Sequence, residues 1–98
     1  MPAYWIGRTK IERPGYGDQA DLHAELEKKY PHETLARGGA YRVLEGEEDA
    51  FNRFVLIKFP STEAAMAYYN SPEYQLASAA RKAASGRTEL VITEGLVT

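Results

Sequence analysis

The chain has 98 residues and a mass of 11.0 kDa, enough for a single small domain over residues 1–98 and too little for two. Lys and Arg number 12 against 14 Asp and Glu, so the formal charge is −2, and no run of basic residues supplies the cationic surface that nucleic acids require. The absence of cysteine excludes disulfides, thiol nucleophiles, thiolate zinc sites and iron–sulfur ligation.

The first predicted elements are a strand and a helix. Residues 3–11 are rich in aromatic and β-branched types and alternate loosely, which predicts a strand with apolar side chains on both faces, such as Trp5 and Ile6. From residue 16 to residue 30 the apolar side chains fall on one helical arc and most charged ones lie opposite. Pro31 ends this amphipathic helix.

Two further strands are predicted to form an antiparallel hairpin. Residues 35–44 have the composition of a strand interrupted by Gly38-Gly39, where glycines indicate a bulge or the close approach of a neighbour. The acidic residues 45–49 form a turn that we expect to be solvated. Residues 53–59 are the third predicted strand.

The helical region that follows carries two start signals. Ser61 is suited to cap a helix that begins at about Thr62. Ser71-Pro72-Glu73 combines a cap, a proline at the first helical position and an acid in the first turn, so the helix breaks near Asn70 and resumes to about Ala84. Gly86 is predicted to close it, before a last strand over residues 89–94.

This order of elements, βαββαβ, predicts a ferredoxin-like α+β fold with a four-stranded antiparallel sheet and helices on one face. The alternation around Trp5 then leaves apolar side chains on the other face, which we expect to be an interface. Two sheets packed face to face give a symmetric homodimer with a barrel-like centre.

We expect a cytoplasmic protein with no membrane partner and no nucleic-acid partner. The first residues lack the charged and apolar regions of a signal peptide. No apolar run approaches the roughly 18 residues that a membrane span needs.

Several short strings are similar to those of one known family. They are Met1-Pro2-Ala3-Tyr4, Arg37-Gly38-Gly39, Phe59-Pro60-Ser61, Tyr69-Asn70-Ser71-Pro72-Glu73-Tyr74-Gln75 and Glu94-Gly95. Together they cover nearly the whole chain and resemble domain-of-unknown-function family 1330, in the dimeric α+β barrel superfamily. The resemblance implies a ferredoxin-like protomer that dimerises through its sheet. The family has no established reaction, while the wider superfamily includes cofactor-free monooxygenases, haem-degrading enzymes and lactone isomerases, so enzyme activity follows by fold analogy alone.

His23 is the candidate catalytic residue. It lies on the apolar face of the first predicted helix, where it is suited to act as a general base, or to pack as a buried histidine bonded to a carbonyl or a tyrosine. No haem signature accompanies it. His32 follows Pro31 and is expected at the surface, and the spacing of the two histidines fits no zinc motif. We therefore expect neither a metal nor a cofactor.

Arg37, Tyr69 and Tyr74 are the candidate ligand-binding residues. Arg37 adjoins two glycines, where its guanidinium is suited to anchor a carboxylate or enolate, or to pair across a dimer. Tyr69 and Tyr74 flank the helix break, where phenols can line a pocket and donate to a developing oxyanion, or simply pack.

These residues favour a pocket between sheet and helices that binds or converts a small organic metabolite. By resemblance, the chemistry is of the cofactor-free oxygenase or isomerase type. The alternative is a non-catalytic dimeric binding or structural module whose family strings serve packing and capping. The sequence leaves open whether the protein is an enzyme.

Overall fold

The computed structural model of the protein describes residues 1–12 and 28–96, with the side chains of residues 80, 81 and 83–86 outside the description. The described residues form strands β1 (Ala3–Ile11), β2 (Glu33–Arg37), β3 (Arg53–Phe59) and β4 (Ser85–Glu94), and helices α1 (Thr62–Tyr69) and α2 (Pro72–Ala84). The sheet order is β2-β3-β1-β4 and all neighbours are antiparallel. This is the predicted ferredoxin-like α+β arrangement.

The helix predicted over residues 16–30 lies outside the described residues except at its end, where Lys28 and Lys29 are helical. An ion pair between Lys29 and Glu73 ties this end to α2. The hydrogen bond from Lys29 is the main cause that lowers the pKa of Glu73, and the same bond raises the pKa of Lys29. The pKa of Glu73 is therefore lower in the folded protein than in the unfolded chain. The ion pair stabilises the fold at pH values above the ordinary carboxyl pKa, and this contribution is lost as the pH falls through the lowered pKa of Glu73.

The break between α1 and α2 is confirmed. Ser61 caps α1 by accepting a hydrogen bond from the N–H of Ala64 at 3.1 Å. The chain leaves the first helix at Asn70, and Pro72 begins the second. None of the described helices is both long and apolar enough to cross a membrane.

β2 is shorter than predicted and begins earlier. The predicted strand over residues 35–44 is wrong because the backbone of Gly38 adopts φ +63°, a left-handed conformation that turns the chain out of the sheet. The residues beyond it do not join the ladder; Tyr41 packs against the Phe54 ring at 4.8 Å, whereas Leu44 is exposed. The acidic turn over residues 45–49 is exposed, as predicted.

β4 is longer than predicted. It begins at Ser85, four residues before the expected start at Glu89, and Gly86 lies inside the strand instead of closing a helix. The added residues pair with the far end of β1, where Ile11 lies opposite Ser85 after a register shift. The helix still ends at Ala84 as predicted, and pairing with β1 extends the strand back to the residue that follows it.

Trp5 lies under the helices and not on the opposite face of the sheet, which corrects the sequence expectation. It is 4% exposed and packs with Phe59, Tyr68 and Tyr74 in the core. Alternation shows that two faces are apolar but cannot say which one the helices cover.

The side of the sheet away from α1 and α2 is here called the outer face. Leu56, Ile6 and Val91 are directly paired across β3, β1 and β4, so their side chains form a continuous apolar strip on this face. Ile6 is 45% and Val91 57% exposed. The expected uncovered apolar face therefore exists, with Ile6 and not Trp5 at its centre.

A matched pair of glycine substitutions tests the turn after β2. We expect Gly38→Ala to lower the free energy of unfolding by about 1 kcal/mol, because a Cβ is strained at positive φ. Gly39→Ala is the control, since its φ is not positive and a Cβ there would meet no atom within 4 Å. Urea denaturation measures both, and equal stabilities would contradict the assignment.

Candidate functional site

Three rows of side chains on the helix-facing side of the sheet form the floor of the candidate site, because paired residues on neighbouring strands point to the same face. The first row consists of Arg53, Thr9 and Thr88. The second consists of Arg37, Val55, Gly7 and Leu90. The third consists of Thr34, Ile57, Trp5 and Ile92. This face therefore changes from polar to apolar along β1.

A cavity of about 70 Å³ lies between these rows and the helices, and is here called the sheet–helix cavity. Its volume is room for several water molecules or for one small organic group. Tyr68 of α1 and Tyr74 of α2 line it from above, with ring centroids 5.3 and 5.2 Å from the Trp5 ring. Aromatic rings therefore form its apolar end.

Gly7 lines the sheet–helix cavity at the centre of β1. A Cβ added there would lie 3.3 Å from Leu90 Cδ1 and 3.8 Å from Trp5 Nε1. Glycine weakens the interior of a strand and often marks a close approach of a ligand or another backbone. In the sequence, Gly7 stands out as a glycine within a run of aromatic and β-branched residues. That pattern indicates unfilled space at this position, but the sequence analysis predicted only the strand and not the cavity.

Two arginines line the cavity. Arg37 lies opposite Val55, and Arg53 lies two residues before Val55 on the same strand face, so the two are diagonal cross-strand neighbours. The Arg53 guanidinium packs beside Gly38, where a Cβ would lie 3.4 Å from Nη1. Arg37 was predicted as a site residue. Arg53 was missed, although strand alternation places this charged residue on the same face as Val55 and Ile57.

The polar end of the cavity is rich in hydrogen-bond donors. Its described lining includes the two guanidinium groups and no carboxylate. Both arginines also interact within the protein, and the five N–H donors of a guanidinium allow more than one partner. The hydroxyls of Thr9 and Thr88 lie 3.4 Å apart in the same region. Such an end is chemically suited to an anionic group.

The structure brings only part of the predicted site together. Tyr74 lines the cavity with Arg37, whereas Tyr69 is 39% exposed and lines a separate apolar groove with Met66. Consecutive helical residues point about 100° apart, so Tyr68 enters the cavity and Tyr69 does not. His23, the predicted base, lies outside the described residues.

His32 is half-buried, which corrects its predicted surface position. Its Nδ1 lies 2.6 Å from the carbonyl oxygen of Tyr30, and its ring packs 5.2 Å from Phe59 and 5.5 Å from Tyr68. Because a carbonyl only accepts, Nδ1 is the donor of this hydrogen bond. Within the described part of the chain, no group of three or more His, Asp or Glu residues is arranged to hold a metal ion.

A larger open groove of about 680 Å³ lies beside the connection between β2 and β3. Arg8 and Arg87 both donate hydrogen bonds to Glu89, at 3.0 and 3.1 Å, and both guanidiniums lie over the Phe51 ring. The bond from Arg8 is the main cause that lowers the pKa of Glu89. Arg8 and Arg87 are thus already paired with Glu89, and the groove is lined by both acidic and basic residues. The sheet–helix cavity, whose described lining has arginines and no carboxylate, is therefore the better candidate site for an anion.

A family model described as a domain of unknown function, DUF1330, matches residues 2–96. The chain belongs to this family. The resemblance carried by the short sequence strings is thereby confirmed, and the matched range includes every described strand and helix of this DUF1330 protein. No curated protein matches its sequence.

Solved structures that resemble this DUF1330 protein share its fold at low sequence identity. A dimeric ferredoxin-like protein of unknown function from Jannaschia sp. CCS1 is 19% identical with a TM-score of 0.73, over 97% of this chain and 100% of that chain. Hydroxynitrile lyase from Passiflora edulis is 14% identical with a TM-score of 0.65, over 94% and 91%. A cofactor-independent oxygenase from Streptomyces nogalater is 16% identical with a TM-score of 0.59, over 99% and 95%. These similarities confirm the ferredoxin-like fold.

A pair of substitutions at the two helix caps tests how much the Ser71 cap, which bonds to the backbone of Tyr74, contributes to stability. The Ser71 hydroxyl is buried, donates to the carbonyl of Tyr68 at 2.7 Å and accepts from the N–H of Tyr74 at 3.1 Å. We expect Ser71→Ala to cost about 2 kcal/mol of unfolding free energy, because both bonds are lost in a buried site. Ser61→Ala, which removes a single capping bond at a half-buried position, should cost about 1 kcal/mol or less in the same urea titration. A larger loss at Ser61 would contradict this reading.

Proposed function

We propose that this DUF1330 protein binds a small acidic organic molecule in the sheet–helix cavity and converts it without a cofactor. The observation that carries the proposal is the placement of Arg37 and Arg53 beside an aromatic wall in one cavity. Arginine pairs with carboxylates through two parallel hydrogen bonds, and such charge-assisted bonds are about twice as strong as neutral ones. The aromatic rings supply a surface for an apolar or planar body.

The proposed roles of Arg37 and Tyr74 follow from their position, and that of His23 from the sequence alone. Arg37 anchors the negative group of the ligand, and Tyr74 faces the same cavity as a donor to oxygen that gains charge during a reaction. His23 keeps its predicted role as the general base, and Tyr69 is proposed only as a residue of the adjoining apolar groove.

Two structural neighbours support a catalytic role. One is a cofactor-independent oxygenase and another is a hydroxynitrile lyase. The same fold thus carries different reactions, which is why the reaction type has to come from the site and not from the fold.

The second candidate is a non-catalytic dimeric module. It is favoured by the family strings whose roles are structural here, since Gly38 makes a turn and Ser71 caps a helix. A cavity that retains no molecule and supports no reaction would fit this candidate. The cytoplasmic location remains a prediction for either candidate.

Native mass spectrometry of protein purified directly from cells tests ligand binding. We expect a defined extra mass on the wild type and its loss in Arg37→Ala, because the variant lacks one anion anchor. Arg42→Ala is the matched control, since Arg42 is exposed and does not line the sheet–helix cavity. An extra mass that persists in Arg37→Ala but disappears in Arg42→Ala would place the ligand elsewhere, and an empty wild type would favour the non-catalytic module.

We also propose a homodimer formed through the outer face. The apolar strip of Leu56, Ile6 and Val91 lies there, and the Jannaschia neighbour is a dimer. A two-fold contact buries the same strip on both protomers, which removes exposed apolar surface from water.

Light scattering during size-exclusion chromatography tests the dimer. We expect the wild type at twice the single-chain mass of 11.0 kDa and Ile6→Glu at the single-chain mass, because the variant would bury two unpaired carboxylates. Leu76→Glu is the control, since Leu76 is 74% exposed on α2. A monomeric wild type, or an Ile6→Glu variant that remains a dimer, would refute this interface.

A further inference from the structure

We infer that the sheet–helix cavity is specific for a carboxylic acid with a short apolar body, and that Gly7 sets the largest body it accepts. This inference rests on the proposed function and adds to it a substrate class, an orientation and a residue that determines specificity. None of the three follows from the presence of Arg37 alone.

The orientation comes from the order of the rows along β1. Thr9 lies in the row of Arg53, Gly7 occupies the middle row, and Trp5 lies in the apolar row. Successive rows are two residues apart, about 6.6 Å in a strand. A short acid that lies along these rows has its carboxylate between Arg53 and its diagonal neighbour Arg37, and its body directed over Gly7 toward Trp5.

The carboxylate end is favoured by the chemistry of the first row. Arg53 presents a planar fork of N–H donors, and the Thr9 and Thr88 hydroxyls each add a donor and acceptor nearby. Thr9 is 6% exposed and Arg53 and Thr88 are half-buried, so this end is partly shielded from water, which strengthens hydrogen bonds to charge.

The size limit comes from the absence of a side chain at Gly7. A Cβ at this position would lie 3.3 Å from Leu90 Cδ1 and 3.8 Å from Trp5 Nε1, so it would occupy the space between the polar and apolar ends. In a cavity of about 70 Å³, one methyl group removes a substantial part of the room for a ligand. The residue at position 7 therefore decides how far a body can extend past the carboxylate.

The intrinsic fluorescence of Trp5 measures binding directly, because Trp5 is the single tryptophan of the chain and lines the cavity. The probes are acetate, propanoate, butanoate and 3-methylbutanoate, each titrated beside its primary amide. The proteins are the wild type, Gly7→Ala, and Gly39→Ala as a matched glycine control with no atom near its added Cβ.

For the wild type, we expect each acid to bind at least tenfold more tightly than its amide. Gly7→Ala should weaken butanoate and 3-methylbutanoate at least tenfold and leave acetate within twofold, whereas Gly39→Ala should match the wild type. Urea denaturation of Gly7→Ala shows whether contact of the added Cβ with Leu90 Cδ1 changes the stability of the fold. The comparison of acids with amides on the wild type does not depend on this variant.

Three outcomes would overturn the inference. Amides that bind as tightly as acids would refute the carboxylate. An equal loss for all four acids in Gly7→Ala would refute the size limit. Binding of 3-methylbutanoate to Gly7→Ala as tight as to the wild type would also refute the size limit. Each of these leaves a small-molecule cavity in place. A wild type that binds no probe and retains no molecule from cells would instead refute the proposed function itself.

Discussion

The burial of Trp5 between the central strand and the two helices is the interaction on which the rest of the structure depends. Its ring contacts Phe59, Tyr68 and Tyr74, so one side chain joins β3, α1 and α2 to β1. Tilted aromatic pairs of this kind contribute about 0.5–1.5 kcal/mol beyond the burial of their area. The Trp5 ring separates the helices from the central strand. Gly7, on the same face of that strand, has no side chain, so the space beside the Trp5 ring is left as the sheet–helix cavity.

Most of the short sequence strings that resemble the family contain residues with a structural role, and one contains a residue that lines the candidate site. Gly38 takes a left-handed turn, Ser71 caps α2, and a Cβ at Gly95 would lie 2.7 Å from Tyr4 Cε2, so each has a packing or backbone role. Arg37 is different because it lines the sheet–helix cavity with Arg53. The proposed ligand site is therefore indicated by charge placed beside aromatic rings and not by the family strings.

The predicted bounds of β1 and β3 and the break between α1 and α2 agree with the structure, because alternation, proline and serine caps act over a few residues. The predicted second strand failed because an apolar run beyond Gly38 has the composition of a strand but no neighbour with which to pair. Two of the predicted site residues, Arg37 and Tyr74, line the same cavity, whereas the Tyr69 ring packs against Tyr74 outside it. Arg53 is placed at the cavity by its pairing with Thr9 of β1, which the sequence alone does not give.

The sequence by itself determined the order of elements, the family, the helix break and the existence of two apolar sheet faces, since these depend on local patterns of polarity and backbone preference. Only the tertiary structure decided that the helices cover the Trp5 face, that β4 extends back to Ser85, and that Arg53, Thr9 and Gly7 border one cavity. The physical reason is that strand pairing joins residues distant in the chain, and a periodicity of two cannot specify which face another element will cover.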